Sequence, residues 1–463
     1  MTRHLKIGAA YHGVGGPGQH ELWKNPELEP DSGVRIEKYI EWARIAEEGK
    51  LDFFFIADST FITPDSPPHY LNRLEPLTIL AAVATATSRI GLVGTLSTSY
   101  NSPFNTARRF ASLDLISGGR AGWNIVTSTD EGTAGQYGRE EHYDYAERYG
   151  RAREHVRVVQ ELWDSYEDDA FPYDVPGDRF VDRSKLHPVS HHGRYYDVEG
   201  PLNAIRSAQG QPVIFQAGDS DEGRDLGAAV GEGIFTFAPT LEAGKAFAAD
   251  IKARARTLGR SADEVLVLPG VAPIVADTVE EARAIERAVH DAKPFDKQLA
   301  IFSRAFGWHD FTRYDLDAPF PELGDIGELS ARTQSRRIKE HARTHGLTLR
   351  ETVLHFSGFR PSPFTGTAQT VADELERWFE EGALDGVILL QNLPSDFRRF
   401  TGEVLPLLRA RGLFRDEYEG STLRGHLGLA VPENRHTATA RTAAARTAAT
   451  AARTAPTAAR ATA

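Results

Sequence analysis

The stretch GRAGWNIVTS, residues 119–128, joins a short apolar run to one residue that could do chemistry. Ile125 and Val126 are β-branched, which favours a buried strand. Asn124 lies in that strand, where a carboxamide is costly to bury unless its donors and acceptor are paired. Its amide can serve a planar heterocyclic ligand flanked by Trp123, or it can bond to neighbouring backbone in the core. The residues alone leave both interpretations open.

Two further apolar runs end in a polar residue. The run DFFFIA (Asp52–Ala57) is followed by Asp58, and the run Ile90–Leu96 is followed by Ser97. Ligand-side residues of parallel α/β proteins lie at the carboxyl ends of the strands. We therefore expect Asp58 and Ser97 to lie beside Asn124. Asp58 can equally cap a helix or a loop.

A third strand end has the composition of a phosphate site. The apolar run Pro212–Ala217 leads into Gly218, Asp219 and Ser220, and a helix follows as far as Val230. Free backbone N–H groups at a helix start bind anions, so this segment predicts a phosphate seat. A plain helix cap by Asp219 or Ser220 would account for the same residues.

The elements that must position these residues alternate between strand and helix. Short apolar runs indicate eight strands, at Lys6–Tyr11, Asp52–Ala57, Ile90–Leu96, the GRAGWNIVTS stretch, Pro212–Ala217, Ile234–Phe237, Val265–Val275 and Gly386–Gln391. Amphipathic segments between them predict helices. This alternation implies a parallel sheet with right-handed crossovers. Eight such units predict an α/β fold, a (β/α)8 TIM barrel with two insertions.

The two insertions interrupt the alternation at about residues 167–211 and 293–360. The first is polar, and its His187, His191 and His192 lack carboxylates at ligand spacing, so we expect solvated histidines and no metal site. The predicted organisation is one domain over residues 1–432. Residues 433–463 are rich in Ala, Thr and Arg and cannot bury a core, so we predict a disordered tail.

Composition narrows the possible functions. The 463 residues are 41% hydrophobic and 25% charged, as in soluble globular proteins. The absence of cysteine excludes disulfides, thiolate metal sites and a cysteine nucleophile, so redox chemistry would need a cofactor. The net charge of -12 argues against nucleic-acid binding. No apolar run is long enough to span a membrane and no signal peptide is evident, so we expect no membrane partner and a cytoplasmic location.

With the barrel predicted, GRAGWNIVTS resembles the fourth-strand signature of the bacterial-luciferase-like flavin monooxygenases. Other matching pieces are FIADS, GTLSTSYNSPF, ERYGRAREHVRVVQELWDSY, QAGDSDEGR and GVILLQN. The resemblance covers Leu5 to Leu413. It points to the subgroup of nitrilotriacetate, EDTA, dibenzothiophene-sulfone and pristinamycin-precursor monooxygenases. The pieces are specific together, although none is specific alone.

The resemblance implies a two-component, FMN-dependent monooxygenase. A separate NAD(P)H:FMN reductase would supply reduced FMN, and the barrel would use O2 to oxygenate a small organic substrate through a flavin (hydro)peroxide. A homodimer is usual for such barrels. This chemistry needs a site that excludes water. The aromatic-rich insertion at 293–360 is the candidate cover.

The resemblance also assigns residues to the cofactor. Those expected to face the isoalloxazine or ribityl chain are Asp58, Ser97 and Asn124. Those expected to hold the phosphate are Tyr149, Gly218, Asp219 and Ser220.

Three further positions follow from the resemblance. His20 and Trp23 match a His-x-x-Trp element on the substrate side of the family and are the candidate catalytic residues, although the flavin carries the chemistry. Relatives often have a histidine where this chain has Tyr145. If that histidine contacts the flavin, the Tyr145 hydroxyl must replace it, or the contact is absent.

Two other functions stay open. One is a deazaflavin-dependent hydride-transfer oxidoreductase on the same barrel, and the other is a flavin-binding protein without turnover. The subgroup motifs and long insertions weigh against the first. The intact set of polar strand ends weighs against the second.

The substrate is not defined by the sequence. An acidic protein slows the encounter with a highly anionic compound. The second insertion is rich in aromatic residues, which favour an apolar or heteroaromatic substrate; they are Phe302, Phe306, Trp308, Phe311 and Tyr314.

Overall fold

Eight parallel strands form a closed barrel. The computed structural model describes residues 3–16 and 21–438. Within them the barrel strands are β1 (Lys6–Ala10), β2 (Phe53–Ile56), β3 (Gly91–Ser97), β4 (Ala121–Val126), β5 (Val213–Gln216), β6 (Gly233–Thr236), β7 (Leu266–Val271) and β8 (Gly386–Leu389). Each pairs in parallel with its neighbours, and β8 pairs with β1 to close the ring. The predicted (β/α)8 barrel is confirmed.

Helices connect successive strands around the barrel. They are α1 (Ile36–Glu48), α2 (Pro76–Ala86), α3 (Pro103–Ser117), α4 (Tyr145–Trp163), α5 (Asp221–Val230), α6 (Leu241–Thr257), α7 (Ala368–Glu380) and α8, which runs from Pro394–Arg399 through a π-helical segment Phe400–Val404 into Leu405–Ala410. Local sequence sets their starts. The Glu75 carboxylate accepts the first N–H groups of α2, and the Ser220 hydroxyl accepts the N–H of Gly223 in α5. Such caps satisfy donors that have no partner within the helix.

Successive side chains of a strand face opposite sides of the barrel wall. The interior cluster includes Phe53, Phe55, Val93, Phe215 and Leu268. On β4, Trp123 and Ile125 pack outward against residues of α3 and α4. Because side chains alternate along a strand, Asn124 between them faces the barrel interior.

The predicted seventh strand, Val265–Val275, is two separate strands. The barrel strand β7 ends at Val271, and Ile274–Val275 pairs instead with Thr365–Gly366 outside the ring. Pro273 lies at the break, and a proline has no N–H to donate to a sheet. The second insertion begins beyond this outer pair.

The second insertion is largely helical and has a core of its own. Its helices are Phe295–Ser303, Arg332–His345 and Leu349–Ser357, and the helix Val279–Asp291 precedes it. The core contains Phe302, Phe306, Phe311, Ile338, Leu349 and Val353. The insertion therefore holds its shape by internal packing. The predicted single domain over residues 1–432 stays a prediction.

The first insertion packs beside α4. It carries an antiparallel pair, Ser190–His192 with Asp197–Glu199. The ring of His191 lies between Glu154 and Glu161 of α4. Within the described residues, no group of three or more His, Cys, Asp or Glu side chains is arranged to hold a metal ion.

The C-terminal segment closes the amino-terminal end of the barrel. Leu423, Leu427 and Leu429 join the interior cluster. The predicted disordered tail begins later than expected, because residues 435–438 form a helical turn and the buried Asn434 amide bonds to the carbonyl oxygen of Tyr166 at 2.8 Å. Residues 439–463 of that tail lie outside the described residues. Over residues 3–16 and 21–438, no helix is both long and apolar enough to cross a membrane.

Candidate active site

A cavity of about 380 Å³ lies at the carboxyl ends of β2 to β5. The strand-end residues that line it include Asp58, Thr95, Ser97, Val126, Ser128, Gln216 and Ala217. Catalytic residues of (β/α)8 barrels come from this end of the strands. A larger hollow of about 800 Å³ lies on the second insertion and receives no strand-end residue. The cavity at the strand ends is therefore the candidate active site.

Asn124 lies in the barrel interior directly below this cavity. Its Nδ2 donates to Thr95 Oγ1 at 2.8 Å, across the pairing of β3 and β4. Its Oδ1 is buried and has no hydrogen-bond donor among the described residues. An unsatisfied buried acceptor costs about 1–3 kcal/mol. A ligand in the cavity that donates to Oδ1 would remove that cost.

The expectation that Trp123 flanks a planar ligand is wrong. Its side chain is fully buried between α3 and α4, with its ring centroid 5.6 Å from that of Phe110 and 6.3 Å from that of Trp163. Its Nε1 donates to the carbonyl oxygen of Leu96 at 3.0 Å. The alternation along β4 places Trp123 and Asn124 on opposite faces, so Trp123 supports the wall from outside.

Ser97 and Ser128 meet at the end of β3 and β4. Their hydroxyls share a hydrogen bond of 2.7 Å, and both residues line the cavity. Ser128 has a φ of 49°, in the left-handed region that non-glycine residues seldom adopt. This conformation is held by Arg148 and His142, which bond to the Ser128 carbonyl oxygen at 2.8 and 2.7 Å. The polar rim is thus fixed by contacts from α4 and the loop before it.

Asp58 lies at the rim beside an arginine. Its Oδ1 is 2.7 Å from Arg73 Nη2. Burial raises the pKa of Asp58 above its ordinary value, and the nearby Arg73 guanidinium opposes that rise. Asp58 therefore borders the cavity as one partner of an ion pair.

The predicted phosphate seat lies where α4 and α5 approach each other. The Tyr149 hydroxyl and Ser220 Oγ are 3.4 Å apart, and Tyr149 lines the cavity. The rings of Tyr145 and Tyr149 have centroids 5.1 Å apart. A Cβ on Gly218 would lie 2.4 Å from Gln216 Nε2 and 2.8 Å from Gly223 Cα, so only glycine lets the loop approach α5 this closely. The Asp219 carboxylate is held outward by Arg224 at 2.9 Å.

The second insertion covers one side of the cavity through Asp130. Trp308 Nε1 donates to Asp130 Oδ1 at 3.1 Å, and Arg304 Nη2 donates to Oδ2 at 3.2 Å. From the barrel, Ser59 Oγ also donates to Oδ2, at 3.0 Å. Arg304 is the described residue of the insertion that lines the cavity. We call residues 293–360 the lid.

The lid aromatics do not reach the substrate side. Phe302, Phe306 and Phe311 are buried in the lid core and line no part of the cavity. They therefore give no support for an apolar or heteroaromatic substrate. A hydrophobic insertion needs a core of its own, and the sequence could not separate that need from ligand binding.

The two candidate catalytic residues are placed as follows. His20 lies outside the described residues. Trp23 lies in a short 3-10 helix, Leu22–Lys24, with its side chain 38% exposed, and does not line the cavity. Their catalytic role stays a prediction. The structure adds residues that the sequence did not single out, namely Thr95, Ser128, Asp130, Gln216 and Arg304.

Comparison with known proteins agrees with this geometry. Residues 21–385 match the family model described as luciferase-like monooxygenase. The chain belongs to the luciferase-like monooxygenase family. This confirms the predicted family and the predicted class of enzyme, a flavin-dependent monooxygenase.

Two relatives are similar over nearly their whole length. The chain is 41% identical to N-acetyl-S-(2-succino)cysteine monooxygenase of Bacillus subtilis (strain 168), over 94% of this chain and 98% of that protein. It is 43% identical to nitrilotriacetate monooxygenase component A of Aminobacter aminovorans, over 89% and 94%. The second relative confirms the predicted subgroup.

A solved structure connects the fold with a flavin. The crystal structure of riboflavin lyase with modified FMN and substrate riboflavin is similar to this chain with a TM-score of 0.82 and 31% sequence identity. The similarity covers 93% of this chain and 97% of that one.

The Asp130 contacts give a prediction about the lid. In an Asp130→Asn variant the Arg304 guanidinium loses its counter-charge, which costs about 2 kcal/mol and raises the open fraction of the lid roughly thirtyfold. Limited proteolysis should therefore cleave residues 293–360 faster in the variant, with the barrel intact by circular dichroism. Asp317→Asn is the matched control, because Asp317 pairs with Arg350 inside the lid at 2.7 Å. Equal cleavage of Asp130→Asn and wild type would contradict the latch.

Proposed function

We propose that this chain is the oxygenase of a two-component system that uses reduced FMN and O2 to oxygenate a small organic substrate. The observation that carries the proposal is the buried Asn124 Oδ1, which lacks a donor beneath a cavity at the strand ends. The Tyr149 and Ser220 hydroxyls stand at the same cavity. These groups suit a ligand with N–H donors at one end and a phosphate at the other.

The residues present fit FMN. Asn124, Ser97 and Gln216 would take the ring and ribityl chain, and the Gln216 Oε1 is a second buried acceptor without a described donor. Tyr149, Ser220 and the glycine-lined loop at Gly218 would take the phosphate. Bound reduced FMN would supply the electrons that activate O2.

The protein's own contribution is to position the ligands and exclude water. The apolar barrel interior closes the site from below, with Phe55 and Phe215 in the layer beneath Asn124. The lid closes it from the side through Asp130. A site closed to water strengthens every polar contact inside it and protects reactive species from side reactions.

Partners follow from the same proposal. A two-component oxygenase needs a reductase, and one relative is named component A of a nitrilotriacetate monooxygenase. Another relative is one of two similar subunits of pristinamycin IIA synthase, and the second of these resembles only part of this chain. We infer a transient NAD(P)H:FMN reductase partner. The homodimer and the cytoplasmic location stay predictions.

The cavity wall favours a substrate that carries a carboxylate. Its acidic groups are already engaged, Asp58 by Arg73 and Asp130 by Arg304, while Glu75 caps α2. The Arg109 side chain, which also lines the cavity, forms no ion pair or hydrogen bond with any described residue. Two of the relatives are named for small carboxylate compounds. We therefore propose small amines or thioethers that bear carboxylates, although the whole protein is acidic.

The function is tested by single turnover in the stopped-flow spectrometer. Protein with reduced FMN is mixed anaerobically, then exposed to oxygenated buffer with a carboxylate-bearing thioether or with an uncharged sulfur heterocycle. We expect FMN reoxidation to be slower than for free FMN and ¹⁸O from labelled O2 to enter the thioether product. Reoxidation at the free-FMN rate without labelled product, together with reduction of a deazaflavin, would contradict the proposal in favour of hydride transfer.

A second prediction concerns the central amide. An Asn124→Ala variant should bind reduced FMN about tenfold more weakly, because the ligand loses one acceptor worth roughly 1–2 kcal/mol. The unliganded protein should lose little stability, since the buried Oδ1 that it gives up was unsatisfied. Anaerobic calorimetry gives the affinity and urea unfolding the stability. The control is Asn72→Ala on the surface, and unchanged affinity in Asn124→Ala would contradict the assignment.

A further inference from the structure

The phosphate seat has no cation of its own. Tyr149 and Ser220 are neutral, and three acidic residues follow at the start of α5, namely Asp219, Asp221 and Glu222. Arg224 neutralises Asp219 and Arg254 neutralises Asp221, each at 2.9 Å. Glu222 forms no ion pair with any described residue. A phosphate dianion bound here needs positive charge from another part of the chain.

The lid supplies an excess of positive charge at this place. Its helix Arg332–His345 has one acidic residue, Glu340, against five basic ones, which are Arg332, Arg336, Arg337, Lys339 and Arg343. The first of these, Arg332, lies with its guanidinium carbon 4.9 Å from the centroid of the Tyr145 ring. Tyr145 in turn contacts Tyr149 and Ser220. The start of this helix therefore stands beside the phosphate seat.

A second arginine lies over the same ring. The guanidinium carbon of Arg148 is 5.3 Å from the Tyr145 centroid, and Arg148 is only 1% exposed. Its Nη atoms donate to the carbonyl oxygens of Ser128 and Leu329, at 2.8 and 2.7 Å, and its buried Nε has no described partner. Leu329 belongs to the lid. A buried cation with carbonyl partners alone is short of one negative charge.

The ion pairs of the lid leave that charge available. Glu328 is shared by Arg332 Nε at 3.1 Å and Arg336 Nη2 at 2.6 Å. Two guanidinium groups thus meet one carboxylate, so the three side chains together keep one positive charge. Glu328 also holds Arg332 in place next to Tyr145.

We propose that Arg332 of the lid, together with Arg148, forms the cationic half of the phosphate seat and recognises the phosphate of FMN. The inference rests on the proposed function and goes beyond it, because it makes the lid part of the cofactor site. Tyr145 then serves as the surface on which the two guanidinium groups lie. Phosphate binding and lid closure become coupled, so the protein discriminates FMN from riboflavin.

The test compares FMN with riboflavin, which lacks the phosphate. Affinities are measured by fluorescence titration for wild type, Arg332→Gln, Arg332→Lys and Arg343→Gln. Arg343 is the matched control, because it also pairs with a glutamate of its helix but lies about 16 Å further along it, beyond the screening length at 0.15 M salt. Arg148 is left unchanged, since its burial ties its removal to folding.

The expected result separates the two ligands. Arg332→Gln should lose about tenfold in FMN affinity and keep the riboflavin affinity of wild type, while Arg332→Lys recovers part of the loss and Arg343→Gln matches wild type. FMN, but not riboflavin, should protect residues 293–360 of wild type from proteolysis. An Arg332→Gln variant that binds FMN as well as wild type, or loses both ligands equally, would overturn the inference. A wild type that binds neither ligand would overturn the proposed function itself.

Discussion

The structure of the site depends on one buried group, the side-chain carbonyl oxygen of Asn124. It lies on the central strand of three, where β4 pairs with β3 and with β5, and no described donor satisfies it. The neighbouring Thr95 hydroxyl takes one of the amide hydrogens and so fixes the direction of the oxygen. A fold that keeps an unsatisfied acceptor in its interior loses stability, and a ligand recovers it. The cavity, its polar rim and its cover are arranged above this atom.

The lid depends on charge where the barrel depends on packing. Its own core keeps it folded, and two polar contacts place it on the barrel, one at Asp130 and one through Arg148 to the Leu329 carbonyl. Both contacts begin at residues close to the carboxyl end of β4. The same short region therefore carries the central amide, the polar rim and the attachment of the lid. This arrangement explains how a cover that contributes little apolar surface to the cavity can still close it.

Local pattern was sufficient for the fold and for the polar strand ends. Asp58, Ser97 and Ser220 follow apolar runs, and a closed parallel barrel brings such ends together whatever the intervening sequence. The same reasoning failed for Trp123, because neighbours on a strand face opposite sides and the sequence does not say which side is the interior. It failed for the lid aromatics, because a core inside an insertion and a ligand-binding surface have the same composition. The contact of Arg304 with Asp130 joins residues 174 positions apart, and no local spacing records it.

The most direct test of the account is a crystal structure of the protein grown anaerobically with reduced FMN. The account predicts that the ring and ribityl chain occupy the cavity at the ends of β2 to β5, and that Asn124 Oδ1 accepts a hydrogen bond from the ligand. The phosphate would then lie among Tyr149, Ser220 and Arg332, with the lid closed. An FMN bound elsewhere, or bound in the cavity with Asn124 Oδ1 still lacking a donor, would contradict it.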